Sequence, residues 1–179
     1  MPVRERTRTL TTTEAAVLAL LAIEGERSGY DLLKLSEQAI GHIWSPAKSQ
    51  LYAVLPRLVK DGLARSRAVA QTKRPDKQVY RIEPAGRAAL DAWLEKVVPG
   101  DAQSFYLKLF VGGLTSHEVL RSQVEQFLAD TRARLAELEA IVPTNTRSGN
   151  DWYHWFLLDL GTRRARDSVR WAQGVLREL

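Results

Sequence analysis

Nine basic side chains stand between residues 47 and 82: Lys48, Arg57, Lys60, Arg65, Arg67, Lys73, Arg74, Lys77 and Arg81. Only two acids, Asp61 and Asp76, share that stretch. Cations at this density attract polyanions, because each phosphate they neutralise releases condensed counterions. Among them are groups that can read as well as attract. Ser49 and Gln50 directly follow Lys48, and Tyr52 comes two residues later. A glutamine amide pairs bidentately with adenine, and short polar side chains reach base edges or phosphates. A charge run by itself is most simply a solvated face. The order of elements around this one points elsewhere.

Other chemistry is sparse. The 179 residues include no cysteine, which excludes disulfide scaffolds, thiol nucleophiles and cysteine metal sites. His42, His117 and His154 lie far apart and predict no metal site. The sequence has no phosphate-cradling glycine loop, no HExxH pattern and no convincing nucleophile–base set, so neither an enzyme nor a cofactor is expected. Glu125 and Glu137 read as solvated helix positions. At 45% hydrophobic and 26% charged residues, the composition is that of an ordinary globular chain. No apolar run nears the roughly 18 residues of a membrane span. The first thirteen residues carry arginines but no apolar h-region, so the cytoplasm is expected.

Periodicity names the elements that must hold the basic groups. Thr11 and Glu14 form a capping box that opens a first helix, with Ala16, Val17, Leu20, Leu21 and Ile23 apolar and Gly25 as the stop. Ser28-Gly29-Tyr30-Asp31 opens a second, which ends at Gly41. Ser45 as N-cap and Pro46 in the first position predict a third. Its buried face is Leu51, Val54, Leu55, Leu58 and Val59, and Gly62 ends it. Strands over 63–70 and 78–82 then flank a polar turn carrying Lys73, Arg74 and Lys77. Pro84 leads into a fourth helix with Leu90, Trp93 and Leu94 apolar, and Pro99-Gly100 is a break. Helices over 102–111, 116–142 and 151–179 follow.

Three helices and a hairpin, in that order, predict a winged helix-turn-helix. The third helix enters the major groove and the hairpin tip reaches a flanking backbone or minor groove. The expected fold is mainly α (α+β), with a winged helix-turn-helix over 1–98 and an all-helical dimerisation and effector domain over 99–179. Charge follows the same division: sixteen Lys/Arg against eleven Asp/Glu in 1–98, and ten of each in 99–179. Expected DNA contacts are Lys48, Ser49, Gln50, Tyr52 and Arg57 on the third helix, and Lys73, Arg74 and Lys77 on the wing.

The ordered set resembles the PadR family of transcriptional regulators. The resemblance rests on Ser28-Gly29-Tyr30-Asp31, Trp44-Ser45, Ser49-Gln50-Leu51-Tyr52, Asp61-Gly62-Leu63, Arg74-Pro75-Asp76-Lys77, Gly86-Arg87-Ala88-Ala89-Leu90, Trp93-Leu94 and residues 105–110. It covers almost the whole chain. The size and long last helices are similar to the larger subgroup that includes phenolic-acid-responsive repressors. The resemblance implies a repressor that dimerises through its C-terminal helices and releases its operator on binding an effector between winged domain and C-terminal helices. It also implies a role for His154, since the last helix of such relatives carries a histidine at about that place. Two departures stand out. Ala53 follows Tyr52 where the family often has proline, and Pro56 lies inside the helix, which predicts a bent or shortened recognition helix. Glu83-Pro84-Ala85-Gly86 replaces a common Thr-Glu-Ala-Gly run, which a helix start tolerates.

The last two helices carry more apolar positions than a lone hairpin can bury, so a two-fold homodimer is expected. Such a dimer matches a pseudo-palindromic double-stranded operator with half-sites about 34 Å apart. A helical subdomain on a monomer is the plainer outcome. Trp152, Tyr153, His154, Trp155 and Phe156 read either as dimer or interdomain core or as one wall of a pocket for a small aromatic effector. In the pocket reading Tyr30 and Trp44 face the same cleft. A different class of function is a winged-helix dimer that binds protein without specific DNA readout. DNA binding that is absent or insensitive to salt would mark it.

Overall fold

Side chains set the starts of the first two helices. In the computed structural model, which describes residues 9–41, 47–70, 76–141 and 149–179, α1 (Thr12–Glu24) begins in a capping box. The Glu14 backbone N–H donates to the Thr11 hydroxyl, and the Thr11 backbone N–H donates to the Glu14 carboxylate. α2 (Gly29–Ile40) repeats the arrangement with Ser28 and Asp31. Each box satisfies N–H groups that a helix start otherwise leaves unpartnered. Gly25 closes α1 at φ 73°, a conformation that costs a glycine little.

α3 (Lys48–Lys60) starts later than Ser45 and Pro46 predict. Ala47 holds the N-cap position and no side chain among the described residues caps the helix; Ser45 and Pro46 themselves lie outside the described residues. Pro56 does not shorten α3, which continues one further turn to Lys60. The proline is exposed, so the Tyr52 carbonyl that loses its i+4 donor lies on a side where water can reach it.

β2 (Ala64–Val69) and β3 (Lys77–Ile82) form the antiparallel hairpin, with Ala64 opposite Ile82 and Val69 opposite Lys77. β1 (Arg27–Ser28), the two residues that lead into α2, pairs with the other edge of β3, giving the order β1-β3-β2. Two residues are too few to show alternation, and the sequence pattern does not reveal this strand. α4 (Pro84–Glu95) begins at a proline and is pinned to the start of the hairpin: the Glu83 N–H donates to the Leu63 carbonyl at 3.0 Å. Gly86 is packed on that same carbonyl, and a Cβ there would collide with its oxygen.

Two compact units divide the chain. The first, 1–96 with 106–116, is the winged helix-turn-helix. Its core joins Leu18, Leu21, Leu32, Leu51, Leu55 and Leu90 to Leu107 and Val111, at the end of α5 (Ala102–Phe110) and just beyond it. Lys108, on the same turns, is buried. Its ammonium lies 4.8 Å from the Trp93 ring centre and donates to the Lys96 carbonyl at the end of α4. A helix C-terminus favours a cation there. A 3-10 turn, Gly112–Leu114, follows.

The second unit, 97–105 with 117–179, is helical. α6 (His117–Ala140) and α7 (Gly149–Glu178) run antiparallel: Arg121 donates to the Leu176 carbonyl near one end and Arg166 to Glu139 near the other. Phe105 stacks on Phe127 at 4.3 Å, and Trp171 meets both edge-on at 6.1 and 5.8 Å. Among the described residues no helix is long and apolar enough to cross a membrane.

The obstacle at Gly86 is backbone, not a side chain that can rotate away. Gly86→Ala is expected to destabilise the winged unit by about 1–3 kcal/mol, the usual cost of overpacking. Denaturant unfolding of the full chain checks this; a loss below ~0.5 kcal/mol would show that α4 shifts freely.

Candidate nucleic-acid interface

Lys48, Ser49, Gln50 and Tyr52 share the exposed N-terminal turns of α3, while Leu51, Val54, Leu55 and Leu58 bury the opposite side. The start of α3 differs from those of α1 and α2. Among the described residues it has no side-chain cap and no acid in its first turn, and it carries Lys48 instead. A helix start of this kind favours an anion through its dipole and its unpartnered N–H groups. The Lys48 ammonium stands 5.9 Å from the centre of the Tyr52 ring, one helical turn away.

Tyr52 is held from below. A Cβ at Gly29 would come within 3.0 Å of the Tyr52 ring and 3.1 Å of Leu55. The glycine of Ser28-Gly29-Tyr30-Asp31 therefore gives α3 room to lie against the start of α2. Tyr80 of β3 is next to this contact, and burial, with a smaller contribution from Tyr52, raises its phenol above the usual range. With 41% of its surface exposed, Tyr52 both packs the helix pair and faces outward.

The basic run is not unopposed. Arg57 meets Glu14 at 3.9 Å, Arg65 meets Glu83 at 3.1 Å and Lys77 meets Asp31 at 2.8 Å, while Arg67 is bonded to Glu26. All four acids lie outside residues 47–82, so counting charge along the sequence missed them. Lys48, Lys60 and Arg81 make no ion pair among the described residues. Lys73 and Arg74 lie outside the described residues. The expected contacts thus divide into Lys48, Ser49, Gln50 and Tyr52 together on α3, Arg57 on its last turn, and Lys77 at the first residue of β3, next to the wing turn.

Asp31 gathers three donors. Its carboxylate accepts from the Ser28 N–H at 3.3 Å, the Ser28 hydroxyl at 2.8 Å and the Lys77 ammonium. The Lys77 bond, then those from Ser28, hold its pKa below the usual carboxylate value against the opposing effect of burial. Glu26 is lowered chiefly by its bond from Arg67, with help from the field of Arg81 and Arg65. Motif reading marked Ser28-Gly29-Tyr30-Asp31 as a helix start. The Ser–Asp spacing of a capping box was the available signal, but it says nothing of Lys77.

The aromatic run lies on α7. Trp152 and Trp155 are stacked 5.9 Å apart with planes 7° from parallel, and Phe156 meets them edge-on at 5.1 and 5.2 Å. Trp155, Phe156, Leu157 and Leu160 are exposed, and so is His154. Tyr30, in the other unit, is 64% exposed on the first turn of α2. Trp44 lies outside the described residues.

Two families match the chain: the transcriptional regulator PadR-like family over residues 17–92 and the virulence activator alpha C-terminal family over residues 103–179. The negative transcriptional regulator PadR of Bacillus subtilis (strain 168) is 26% identical over 171 residues, which cover 90% of this chain and 93% of that protein. A crystal structure of Bacillus subtilis PadR with operator DNA aligns at 26% identity over 94% of this chain and 99% of that one, with a TM-score of 0.48. Another, with p-coumaric acid, aligns at 24% over 97% of each, with a TM-score of 0.43.

Asp31 gives the fold a signature in acid. A carboxyl whose pKa is depressed by folding adds stability above its unfolded value of about 3.9, and that stability is lost as pH falls through the folded value. Asp31→Asn is expected to lower the unfolding temperature at neutral pH and to flatten the decline below about pH 4. A variant whose profile simply parallels that of the original chain would assign the acid limb to other carboxylates.

Proposed function

The chain belongs to the PadR-like family of transcriptional regulators, and on that premise we propose that it is a homodimeric repressor whose grip on a pseudo-palindromic operator is released by a small aromatic effector. That it is a DNA-binding regulator from a non-enzymatic family is not in question. The observation that carries the reading is the start of α3. Lys48, Ser49 and Gln50 stand exposed on a helix end that has, among the described residues, neither a side-chain cap nor an acid in its first turn, which suits groove entry and a phosphate contact. In this reading residues 1–98 bind DNA in the cytoplasm. Lys48, Ser49, Gln50, Tyr52 and Arg57 contact it from α3, and Lys73, Arg74 and Lys77 from the wing.

Residues 99–179 then dimerise and sense. The exposed Trp155, Phe156, Leu157 and Leu160 form an apolar stretch of α7 that a second copy would cover. The Trp152–Trp155 stack, with His154 between them in the sequence, suits a flat aromatic ligand. The Bacillus subtilis relative, similar in sequence along nearly its whole length, is solved with operator DNA and with p-coumaric acid. An effector acts by preferring a dimer whose recognition helices are wrongly separated, and it shifts the balance only by its differential affinity for the two geometries.

One observation favours the interaction-module alternative. Arg57, Arg65, Arg67 and Lys77 are answered by acids, which weakens the field a polyanion feels. Mobility shifts on DNA upstream of the protein's own gene, at two salt concentrations, separate the readings. Salt-sensitive binding that resists competitor is expected; binding erased by competitor there and among genome-wide selected fragments would favour the module. Lys48→Ala should weaken binding to every sequence and reduce the logarithmic salt slope by about 1. Gln50→Ala should instead relax preference at one base pair by about 1–3 kcal/mol. Trp155→Asp should give a monomer in light scattering, and a persistent dimer would move the interface off this face. His154→Ala leaving a confirmed effector's binding and release unchanged would remove His154 from the pocket.

A further inference from the structure

The root of the wing carries an arrangement that lies outside the DNA contacts proposed above. The β2–β3 register sets Arg65 directly opposite Arg81, and both are exposed on one face of the hairpin. Like charges directly opposed on an antiparallel pair repel. Arg65 is answered by Glu83, and nearby Arg87 by Asp91 at 2.8 Å and by the Leu114 carbonyl at 3.1 Å. Arg81 makes no ion pair among the described residues. Glu26 feels its field, but the Glu26 carboxylate is bonded to Arg67.

These three arginines line one cleft of about 360 Å³ together with Ala22, Ile82, Pro84 and Glu83, whose carboxylate is engaged by Arg65. That volume is at the small end of the roughly 300–1,000 Å³ typical of ligand sites. We propose that this cleft binds a small organic carboxylate: its oxygens on the Arg81 guanidinium, its apolar body over Ala22, Ile82 and Pro84. A guanidinium offers the planar fork that a carboxylate matches with two bonds, and the bound anion would relieve the Arg65–Arg81 repulsion. The apolar walls favour a carbon body over an inorganic anion, which would leave them wet. The site is also far along the hairpin from the wing tip. Val69–Lys77 is the pair nearest the turn, whereas Arg65–Arg81 is next to the last pair at the opposite end. The cleft lies wholly within the winged unit and does not depend on the effector reading of α7.

Titration calorimetry of the full chain with benzoate tests the site. Saturable binding of one benzoate per chain is expected, with benzamide, its neutral analogue, failing to compete. Arg81→Gln should weaken benzoate at least about tenfold, and Arg81→Lys should weaken it less, because it keeps the charge but not the fork. Thermal unfolding of each variant verifies the fold, and if Arg81→Gln unfolds, Arg81→Lys decides, with undiminished benzoate binding counting against the proposal. The proposal is overturned if benzoate fails to saturate, if Arg81→Gln binds it normally, or if phosphate displaces it at equal concentration. Loss of binding in Trp155→Ala with retention in Arg81→Gln would place the carboxylate on α7 and also overturn it.

Discussion

The Asp31 carboxylate ties together the parts that any groove-binding surface here needs. By accepting from Ser28 it starts α2, and by accepting from Lys77 it holds the turn end of β3 in the wing. Ser28 belongs to β1, which pairs with β3, so the same residues extend the sheet. Gly29, next along, leaves the space in which Tyr52 of α3 rests. Four consecutive residues therefore set a strand, a helix start, the recognition helix and the wing against one another. A carboxylate with three donors is restrained in direction as well as position, which is what a shared fastening point requires.

Legibility in the sequence followed range. The starts of α1 and α2 could be read because a capping box is a local pattern of two residues three apart, and the proline start of α4 was equally local. The hairpin was visible from its change of period and its polar turn. The start of α3 was not, since Ser45-Pro46 has the form of a cap and first turn, yet the helix begins after Ala47. β1 escaped because two residues carry no period. The ion pairs escaped because Glu14, Glu26, Asp31 and Glu83 are brought to the basic run only by the tertiary fold. Leu107 and Val111 illustrate the same limit: they follow the Pro99-Gly100 break, yet they complete the core of the winged unit.

Those acids alter what the surface offers. Where the sequence shows a continuous basic stretch, the fold leaves, among the described residues, Lys48 at one end of α3, Lys60 at the other and Arg81 at the wing root without an ion pair. Exposed pairs such as Arg67–Glu26 contribute little to stability, but they fix where each guanidinium points and lower the diffuse field around it. Among the described residues, the attraction of such a surface for a polyanion rests less on bulk charge and more on these unpaired groups.

The stacked indoles on α7 also have an optical consequence. Trp152 and Trp155, nearly parallel and 5.9 Å apart, are close enough for their excited states to couple, and that coupling contributes to near-ultraviolet circular dichroism. Trp93 is buried in the other unit, so its emission reports on a different environment. Anything that covers the exposed face of α7 dries the Trp155 ring and shifts its fluorescence to the blue. The chain thus contains its own chromophore for following events at that helix, with no label added.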